Sequence, residues 1–231
     1  HHQFGVEAIG LKTPYQDAEV ISLLHTFLKR LGITGLTLHL NSLGTKATRE
    51  KYKEELKSYL KPHFNSLSED SQRRFETNPF RILDSKAAED RALLKEAPSL
   101  HDFLDEESNE HFEELCALLD AIGISYIKDC NLVRGLDYYN QTVFEITSKE
   151  LGAQNSLGGG GRYDGLIKEL GGPDLPAFGF GAGLERIIQT MLAQEANLFK
   201  PKAVSLCFVP LGEKWGCESL KNQNHDRQSA K

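Results

Sequence analysis

The segment Ala177–Gly183 has a glycine at every second position and runs directly into an amphipathic stretch, residues 184–192. Successive side chains of a strand point to opposite faces, so glycines at alternate positions leave one face of a strand bare. An apolar pattern of helical spacing follows at once, which predicts a strand that ends in a helix. A flat group could lie against the bare face.

Arg186 falls in the first turn of the predicted helix. The unsatisfied backbone N–H groups and the positive end of the helix dipole disfavour a cation there unless an anion lies close. The residues alone leave two interpretations open. Either Arg186 binds an anion such as phosphate, or the glycines serve only close packing of the helix on the sheet and Arg186 is exposed.

Residues 132–146 combine strand-forming residues with groups that need polar partners. Most of the segment has the β-branched and aromatic composition of a buried strand. Arg134 and Asp137 each need a partner once they are removed from water, and two phenols follow, Tyr138 and Tyr139. Taken alone, the segment favours a strand pair with a structural ion pair, and contact with a ligand is the alternative.

The start of the chain predicts the order strand, helix, strand. Residues 1–10 alternate like a strand, in which Gln3 and Glu7 share a face. A helix is predicted over residues 17–31, and a half-buried strand over residues 36–40. This order indicates an α+β or α/β body.

Residues 45–127 show helical patterns with almost no strand signal, which predicts an inserted helical subdomain. The clearest helices are residues 46–60 and a second helix for which Ser108 is placed as the N-cap. The predicted apolar stripe of the second helix consists of Phe112, Leu115, Leu119 and Ile122.

Three lysines form one face of the helix at residues 46–60, namely Lys53, Lys57 and Lys61. A lysine face is most often simply solvated. Together with Arg73 and Arg74 it could instead hold a phosphate backbone, and both interpretations stay open at this point.

Composition limits the class of protein only broadly. The chain has 231 residues, of which 39% are hydrophobic and 26% charged, as in a soluble protein of one or two domains. A net charge of -6 argues against wholesale coating by a polyanion. The four cysteines lack metal-ligand spacing, so neither a disulfide framework nor a metal site is predicted. No apolar run of ~18 residues and no secretory signal is found, which predicts a cytoplasmic protein without a membrane segment.

Four consecutive glycines, residues 158–161, suit a tight turn or a close approach of the backbone to another group, a ligand among them. The segment lacks the ending of a P-loop and the spacing of a dinucleotide-binding fingerprint. By itself it identifies no activity.

The chain resembles the histidyl-tRNA synthetases in four motifs that follow the order of that family. Residues 134–139 (Arg-Gly-Leu-Asp-Tyr-Tyr), followed by Thr-Val-Phe-Glu at 142–145, resemble the histidine-specific signature. Residues 161–166 (Gly-Arg-Tyr-Asp-Gly-Leu) resemble the second histidine signature. Residues 181–186 are similar to motif 3 of class II aminoacyl-tRNA synthetases, and residues 2–7 are similar to the tail of motif 2.

The resemblance implies an α+β fold, with the antiparallel-sheet catalytic core of a class II synthetase, a helical insertion domain and the start of an α/β anticodon-binding domain. Residues 78–86, inside the helical segment, are also similar to a family stretch. The implied boundaries are residues 1–44 and 128–200 for the core, 45–127 for the insertion and 201–231 for the start of the anticodon-binding domain.

The resemblance also implies an activity. Members of this family join L-histidine to ATP, which carries Mg²⁺, and then pass the histidyl group to the 3' end of histidine tRNA. They act as homodimers. The family's insertion domain reaches toward the tRNA acceptor stem, which strengthens the phosphate interpretation of Lys53, Lys57 and Lys61 until it stands level with the solvated-face interpretation.

Two arginines match family residues that bind ATP. Arg134 matches the arginine placed against the histidine carboxylate and the α-phosphate, and is the implied catalytic residue. Arg186 matches the motif 3 arginine that contacts the γ-phosphate. A guanidinium fork suits two anionic oxygens at once, which agrees with both roles.

Five further residues match the histidine pocket. Glu7 and Tyr139 match the pair that binds the imidazole, and Gln3 and Tyr138 match other contacts to the amino acid. Tyr163 lies in the second signature, close to the same pocket. Because neighbouring residues of a regular strand point to opposite faces, Tyr138 and Tyr139 can share one pocket only if the chain bends there.

Motif 1, the first half of motif 2 and the loop that holds the amino group are not among the 231 residues, so we expect this chain by itself to be inactive. The alternative function is that of a catalytically inactive paralogue, a histidine-sensing regulatory subunit of ATP phosphoribosyltransferase. The presence of both Arg134 and Arg186 favours the ligase, because a histidine sensor does not need a γ-phosphate contact.

Overall fold

The computed structural model describes residues 1–149 and 155–196, and the strands in this part of the chain form one six-stranded sheet. The strands are β1 Gln3–Ile9, β2 Leu36–Ser42, β3 Tyr126–Lys128, β4 Asn140–Ser148, β5 Ser156–Arg162 and β6 Ala177–Gly183. Their order across the sheet is β1-β6-β5-β4-β2-β3. Every neighbouring pair is antiparallel except β2 and β3, which run parallel. The predicted α+β class with an antiparallel sheet is confirmed.

Eight α-helices accompany this sheet in the described residues. They are α1 Pro14–Arg30, α2 Lys46–Leu60, α3 Glu69–Thr77, α4 Phe80–Leu83, α5 Ala88–Leu94, α6 Glu106–Ala121, α7 Leu166–Glu169 and α8 Leu184–Ala193. Helix α2 has the predicted bounds, and α8 follows β6 directly as the glycine pattern predicts. None of the helices described is long and apolar enough to cross a membrane.

Helix α6 corrects two details of the sequence analysis. Its N-cap is Asp105, whose carboxylate accepts the backbone N–H of Ser108 at 2.9 Å, so the prediction of Ser108 as the cap was wrong. The carboxylate is the better acceptor for a helix N-terminus, and it also accepts the hydroxyl of Thr45 at 2.9 Å. Ile122 lies beyond the last turn and is 54% exposed, so it is not part of the buried stripe.

One face of the sheet is covered by helices α1 and α6. Its side chains are large and apolar, as Phe144, Phe178 and Phe180 illustrate, and each of these three is almost fully buried. Leu24 of α1 and Phe112 of α6 pack into the same core. The helical face of the sheet is therefore closed, and a ligand could reach only the opposite face.

A second core lies between helices α2 to α5 and the segment that precedes β4. Tyr52, Leu56 and Leu60, the predicted apolar face of α2, are fully buried there. Val133 and Tyr139 of the segment before β4 belong to the same cluster. The predicted helical segment thus divides, since α6 packs with the sheet. The domain boundaries at residues 44 and 127 stay predictions, and the predicted anticodon-binding start lies outside the described residues.

A buried carboxylate, Asp90, organises the second core. It accepts hydrogen bonds from the Ser68 N–H (2.8 Å) and from the hydroxyls of Ser68 (2.6 Å), Ser71 (2.6 Å) and Ser85 (2.5 Å). Burial opposes ionisation of Asp90, but these hydrogen bonds outweigh it and its pKa lies below the ordinary value. The carboxylate thereby ties α3 and α5 to the loops around them.

We expect Asp90→Asn to lower the free energy of unfolding by about 2 kcal/mol at neutral pH, since an amide cannot accept all four hydrogen bonds. Chemical denaturation measures this loss. Because the pKa of the folded state is lowered, the extra stability is present above pH ~4 and disappears as the pH falls through the folded pKa. The difference between the two proteins should therefore shrink in acid, and a difference that is independent of pH would contradict this account. Ser85→Ala, which removes one donor, should cost less than Asp90→Asn.

Candidate active site

A row of glycines forms the floor of the open face of the sheet. Gly179, Gly181 and Gly183 lie on β6, and in register beside them on β5 are Gly159, paired with Gly181, and Gly161, paired with Gly179. The predicted bare face of β6 is thus confirmed. Residues 158–161 belong to the middle of the sheet, which the sequence analysis did not foresee.

Close contacts explain why side chains are absent from this floor. A Cβ on Gly179 would lie 1.7 Å from Oε2 of Glu7, and a Cβ on Gly161 would lie 3.0 Å from Cδ1 of Tyr139. A Cβ on Gly159 would lie 2.9 Å from Nη1 of Arg134. The glycines therefore make room for the functional side chains that stand over the floor.

Strand β1 supplies two of the predicted histidine contacts from the edge of the sheet. In register, Gln3 pairs with Gly183 and Glu7 pairs with Gly179, so both side chains stand on the glycine face, as their shared parity predicts. Both side chains are exposed at this face. Nearby, the imidazole Nε2 of His1 lies 3.2 Å from Oε1 of Gln3.

Three tyrosines gather beside Glu7. The ring centroids of Tyr138 and Tyr139 are 4.6 Å apart, and that of Tyr163 lies 5.8 Å from Tyr138 and 6.3 Å from Tyr139. The hydroxyl of Tyr163 donates a hydrogen bond to Oε2 of Glu7. Tyr163, rather than Tyr139, is thus the direct partner of the carboxylate in the described residues.

The two adjacent tyrosines can meet because the chain bends before β4. Residues 132–139 form turns and irregular backbone, so the strand interpretation of this part was wrong, and β4 begins only at Asn140. Gln141 then has a φ of 50°, and the register between β4 and β5 shifts at this point. This bulge turns the preceding residues over the floor.

The phenols keep their protons in this setting. Burial raises the pKa of Tyr139 above its ordinary value, and the hydrogen bond with the neighbouring hydroxyl of Tyr138 adds to this effect. Burial and the hydrogen bond to Glu7 raise the pKa of Tyr163 in the same direction. Neutral phenols beside a carboxylate offer both hydrogen-bond donors and acceptors, which is what a ring with two nitrogens requires.

Arg134 lies further along the floor. Its Nη1 donates to Oε1 of Glu145 at 3.1 Å, and its buried Nε has no hydrogen-bond partner among the described residues. Glu145, which the sequence analysis did not select as a site residue, is the one charged residue of β4. A carboxylate within an otherwise neutral strand was the signal that could have identified it. Arg134 therefore pairs with Glu145 and not with Asp137.

Arg186 stands at the far end of the floor, in the first turn of α8, as predicted. Its Nη1 donates to the backbone oxygen of Ser156 at 3.2 Å, and a Cβ on Gly183 would lie 3.9 Å from its Cδ. The guanidinium is thus held over the end of β6, where the N–H groups of α8 begin.

The register of the sheet sets the order of these groups. Glu7 and Tyr163 stand at Gly179, Arg134 stands over Gly159 beside Gly181, and Arg186 stands at Gly183. Gly183 is four positions after Gly179 on β6, which corresponds to about 13 Å. Along the floor, the carboxylate and its tyrosine are thus followed by a first cation, Arg134, and then by a second one, Arg186.

The three lysines of the predicted basic face, two on α2 and one just beyond its end, lie in different settings. Lys53 is half-buried and lines a cavity of about 260 Å³ that also contacts Arg134. The ammonium of Lys57 pairs with Glu76 at 2.8 Å, and Lys61 is exposed at the end of the helix. They are not one uniform solvated face.

The family profile described as histidyl-tRNA synthetase matches residues 1–187. The chain belongs to this family. Histidine–tRNA ligase of Protochlamydia amoebophila is 60% identical over 213 residues, which cover 92% of this chain and 50% of that ligase. The chain therefore spans about half the length of the relatives it matches.

Solved structures agree with membership of the histidyl-tRNA synthetase family. Apo histidyl-tRNA synthetase of S. aureus superposes with a TM-score of 0.74 at 37% identity, covering 98% of this chain and 56% of that one. A protein from Bacillus halodurans C, described as an ATP phosphoribosyltransferase regulatory subunit/histidyl-tRNA synthetase, superposes with a TM-score of 0.55 at 26% identity. It covers 81% of this chain and 52% of that one.

Within the described residues, no group of three or more His, Cys, Asp or Glu side chains is placed to hold a metal ion. Mg²⁺ is bound in many nucleotide sites mainly by substrate phosphates and waters. The described residues therefore offer no set of protein ligands to which Mg²⁺ can be assigned.

Proposed function

We propose that the protein carrying this chain is a histidine–tRNA ligase that activates L-histidine with ATP and transfers the histidyl group to the 3' end of histidine tRNA. The observation that carries the proposal is the order of groups along the glycine floor. We assign Glu7 and the tyrosines to the imidazole, Arg134 to the histidine carboxylate and the α-phosphate, and Arg186 to the γ-phosphate.

The first step is attack of a histidine carboxylate oxygen on the α-phosphorus of ATP. The bond from that phosphorus to the oxygen bridging toward the β-phosphate breaks, and pyrophosphate leaves. Negative charge increases on the α-phosphate oxygens as this occurs, and a fixed cation stabilises it. Glu145 orients the guanidinium of Arg134.

Selectivity for histidine follows from hydrogen bonding to both ring nitrogens. Glu7, held by Tyr163, accepts a hydrogen bond from one ring nitrogen, and Tyr139 forms a hydrogen bond with the other. Gln3 and Tyr138 make further contacts to the amino acid. An amino acid without these nitrogens leaves the polar groups that line the site unpaired, which can give discrimination on the order of 10⁴. Histidine-dependent ATP–pyrophosphate exchange tests the activity directly.

The alternative is a histidine-sensing regulatory subunit of ATP phosphoribosyltransferase, and the likeness to the Bacillus halodurans protein is the observation in its favour. Such a protein binds histidine but has no use for two cations beyond the amino-acid pocket. Histidine binding without any exchange of pyrophosphate would support the regulator, and exchange would rule it out.

The tRNA role of α2 gives a further prediction. Changing Lys53, Lys57 and Lys61 together to glutamate should weaken binding of histidine tRNA and reduce the slope of log affinity against log salt by about 2 to 3. The control carries the same charge change on Lys29, Arg30 and Lys95, which are exposed and lie outside α2. Equal effects of the two triple variants would assign Lys53, Lys57 and Lys61 to a solvated face.

Homodimerisation and a cytoplasmic location complete the proposal. Analytical sedimentation tests the homodimer.

A further inference from the structure

The loop that carries Tyr138 and Tyr139 is anchored by the helical part of the chain. Residues 132–139 belong to no helix or strand, so their backbone is held by side chains from elsewhere. Helix α2 supplies Arg49 for this purpose. The turn between α3 and α4 supplies Asn78, whose amide donates to Oδ1 of Asp137 at 2.8 Å.

Arg49 contacts the loop at two backbone oxygens. Its Nη1 donates to the carbonyl of Asp137 at 3.0 Å and to the carbonyl of Tyr139 at 2.8 Å. One of these carbonyls precedes Tyr138 in the chain, and the other belongs to Tyr139. A single guanidinium nitrogen therefore fixes the backbone on both sides of Tyr138 and at Tyr139 itself. A planar guanidinium is well suited to hold two acceptors in fixed directions.

We propose that Arg49 is a positioning residue for histidine recognition: by fixing the carbonyls of Asp137 and Tyr139, it sets the orientation of the Tyr138 and Tyr139 rings over the glycine floor. This proposal rests on the proposed function and adds a residue to it. It also links the helical part of the chain to the amino-acid pocket. Arg49 itself does not touch the substrate.

The role predicts a selective kinetic effect. With the clamp removed, the two rings lose their preset orientation, and histidine must order them when it binds. Arg49→Met retains most of the alkyl stem and removes both hydrogen bonds. We expect the KM for histidine to rise about tenfold in pyrophosphate exchange, while the KM for ATP and the kcat at saturating histidine change less than about threefold.

Two further variants should raise the KM for histidine by smaller amounts. Arg49→Lys keeps the charge but not the fork, and should raise the KM for histidine less than Arg49→Met. Asn78→Ala removes the other hydrogen bond to the loop and should raise the same KM about twofold to threefold. The matched control is Arg91→Met, since Arg91 is an exposed arginine of the neighbouring helix α5. The control should leave both KM values unchanged.

The assays use the protein that carries this chain, with exchange by the unaltered protein measured first. If that protein exchanges pyrophosphate but Arg49→Met leaves the KM for histidine unchanged, or raises both KM values equally, the positioning role is overturned. If the unaltered protein neither exchanges pyrophosphate nor binds histidine, the proposed function fails as well. Should Arg49→Met fail to fold, Arg49→Lys and Asn78→Ala decide the question by the same comparison of the two KM values.

Discussion

Arg134→Ala is expected to abolish histidine-dependent ATP–pyrophosphate exchange while leaving histidine binding largely intact. Removing one preorganised group that stabilises transition-state charge costs on the order of 10² to 10³ in rate, and in the proposed mechanism Arg134 contacts both the attacking carboxylate and the α-phosphate. The imidazole contacts stand at Gly179, two residues of β6 away from the position that Arg134 occupies. Binding of the ring should therefore survive the substitution.

Calorimetric titration with histidine and the exchange assay, run on the same preparation, separate these two effects. Arg134→Lys keeps a positive charge but loses the fork, so it should restore only part of the rate. Glu145→Gln provides a second comparison, because it weakens the orientation of the guanidinium without removing it. Exchange that is undiminished in Arg134→Ala would remove this residue from the mechanism.

The periodicity of the sequence was sufficient to predict those features that depend only on the direction of side chains along a single helix or strand. The alternating glycines of β6, the shared face of Gln3 and Glu7, and the position of Arg186 in the first turn of α8 all follow from side-chain direction along one element. The apolar face of α2 follows for the same reason. These predictions need no knowledge of which elements are neighbours.

Features that depend on neighbouring elements could not be predicted from the pattern. The glycines at residues 158–161 form a central strand because their backbone pairs with β4 and β6 and because Arg134 and Tyr139 occupy the space above them. The pairing of Arg134 with Glu145 joins residues eleven positions apart across an irregular loop. The secondary-structure propensities of the residues contain no information about such contacts. From the sequence alone, Arg134 could therefore also be interpreted as a partner of Asp137.

The buried cluster around Arg162 is another set of contacts that the sequence pattern could not predict. Arg162 is fully buried and pairs with Asp17 of α1, which in turn accepts a hydrogen bond from His111 of α6 at 2.8 Å. Three elements that are distant in the sequence meet at one carboxylate. The next residue after Arg162 is Tyr163, so this cluster fixes the end of β5 from which the tyrosine reaches Glu7.

Gly179→Ala is expected to lower the affinity for histidine about 100-fold, because the proposed hydrogen bond from the ring to the charged Glu7 carboxylate is lost and the ring nitrogen is left unsatisfied. The new Cβ would lie 1.7 Å from Oε2 of Glu7 and 2.6 Å from the backbone oxygen of Val6. The carboxylate must move away, and it then no longer meets the hydroxyl of Tyr163. Titration with histidine in the absence of ATP measures the loss without any contribution from catalysis.

Gly181→Ala is the matched control, since Gly181 lies on the same strand and the same face, two residues away. Its Cβ would lie 3.9 Å from the nearest atom of Gln3, an ordinary van der Waals distance. Histidine affinity in this variant should stay within about threefold of the unaltered protein, as expected where no polar group is displaced. Equal losses in the two variants would mean that the whole floor tolerates no side chain, and the specific role of Glu7 would be contradicted. A loss confined to Gly179→Ala would tie histidine recognition to the carboxylate that this glycine accommodates.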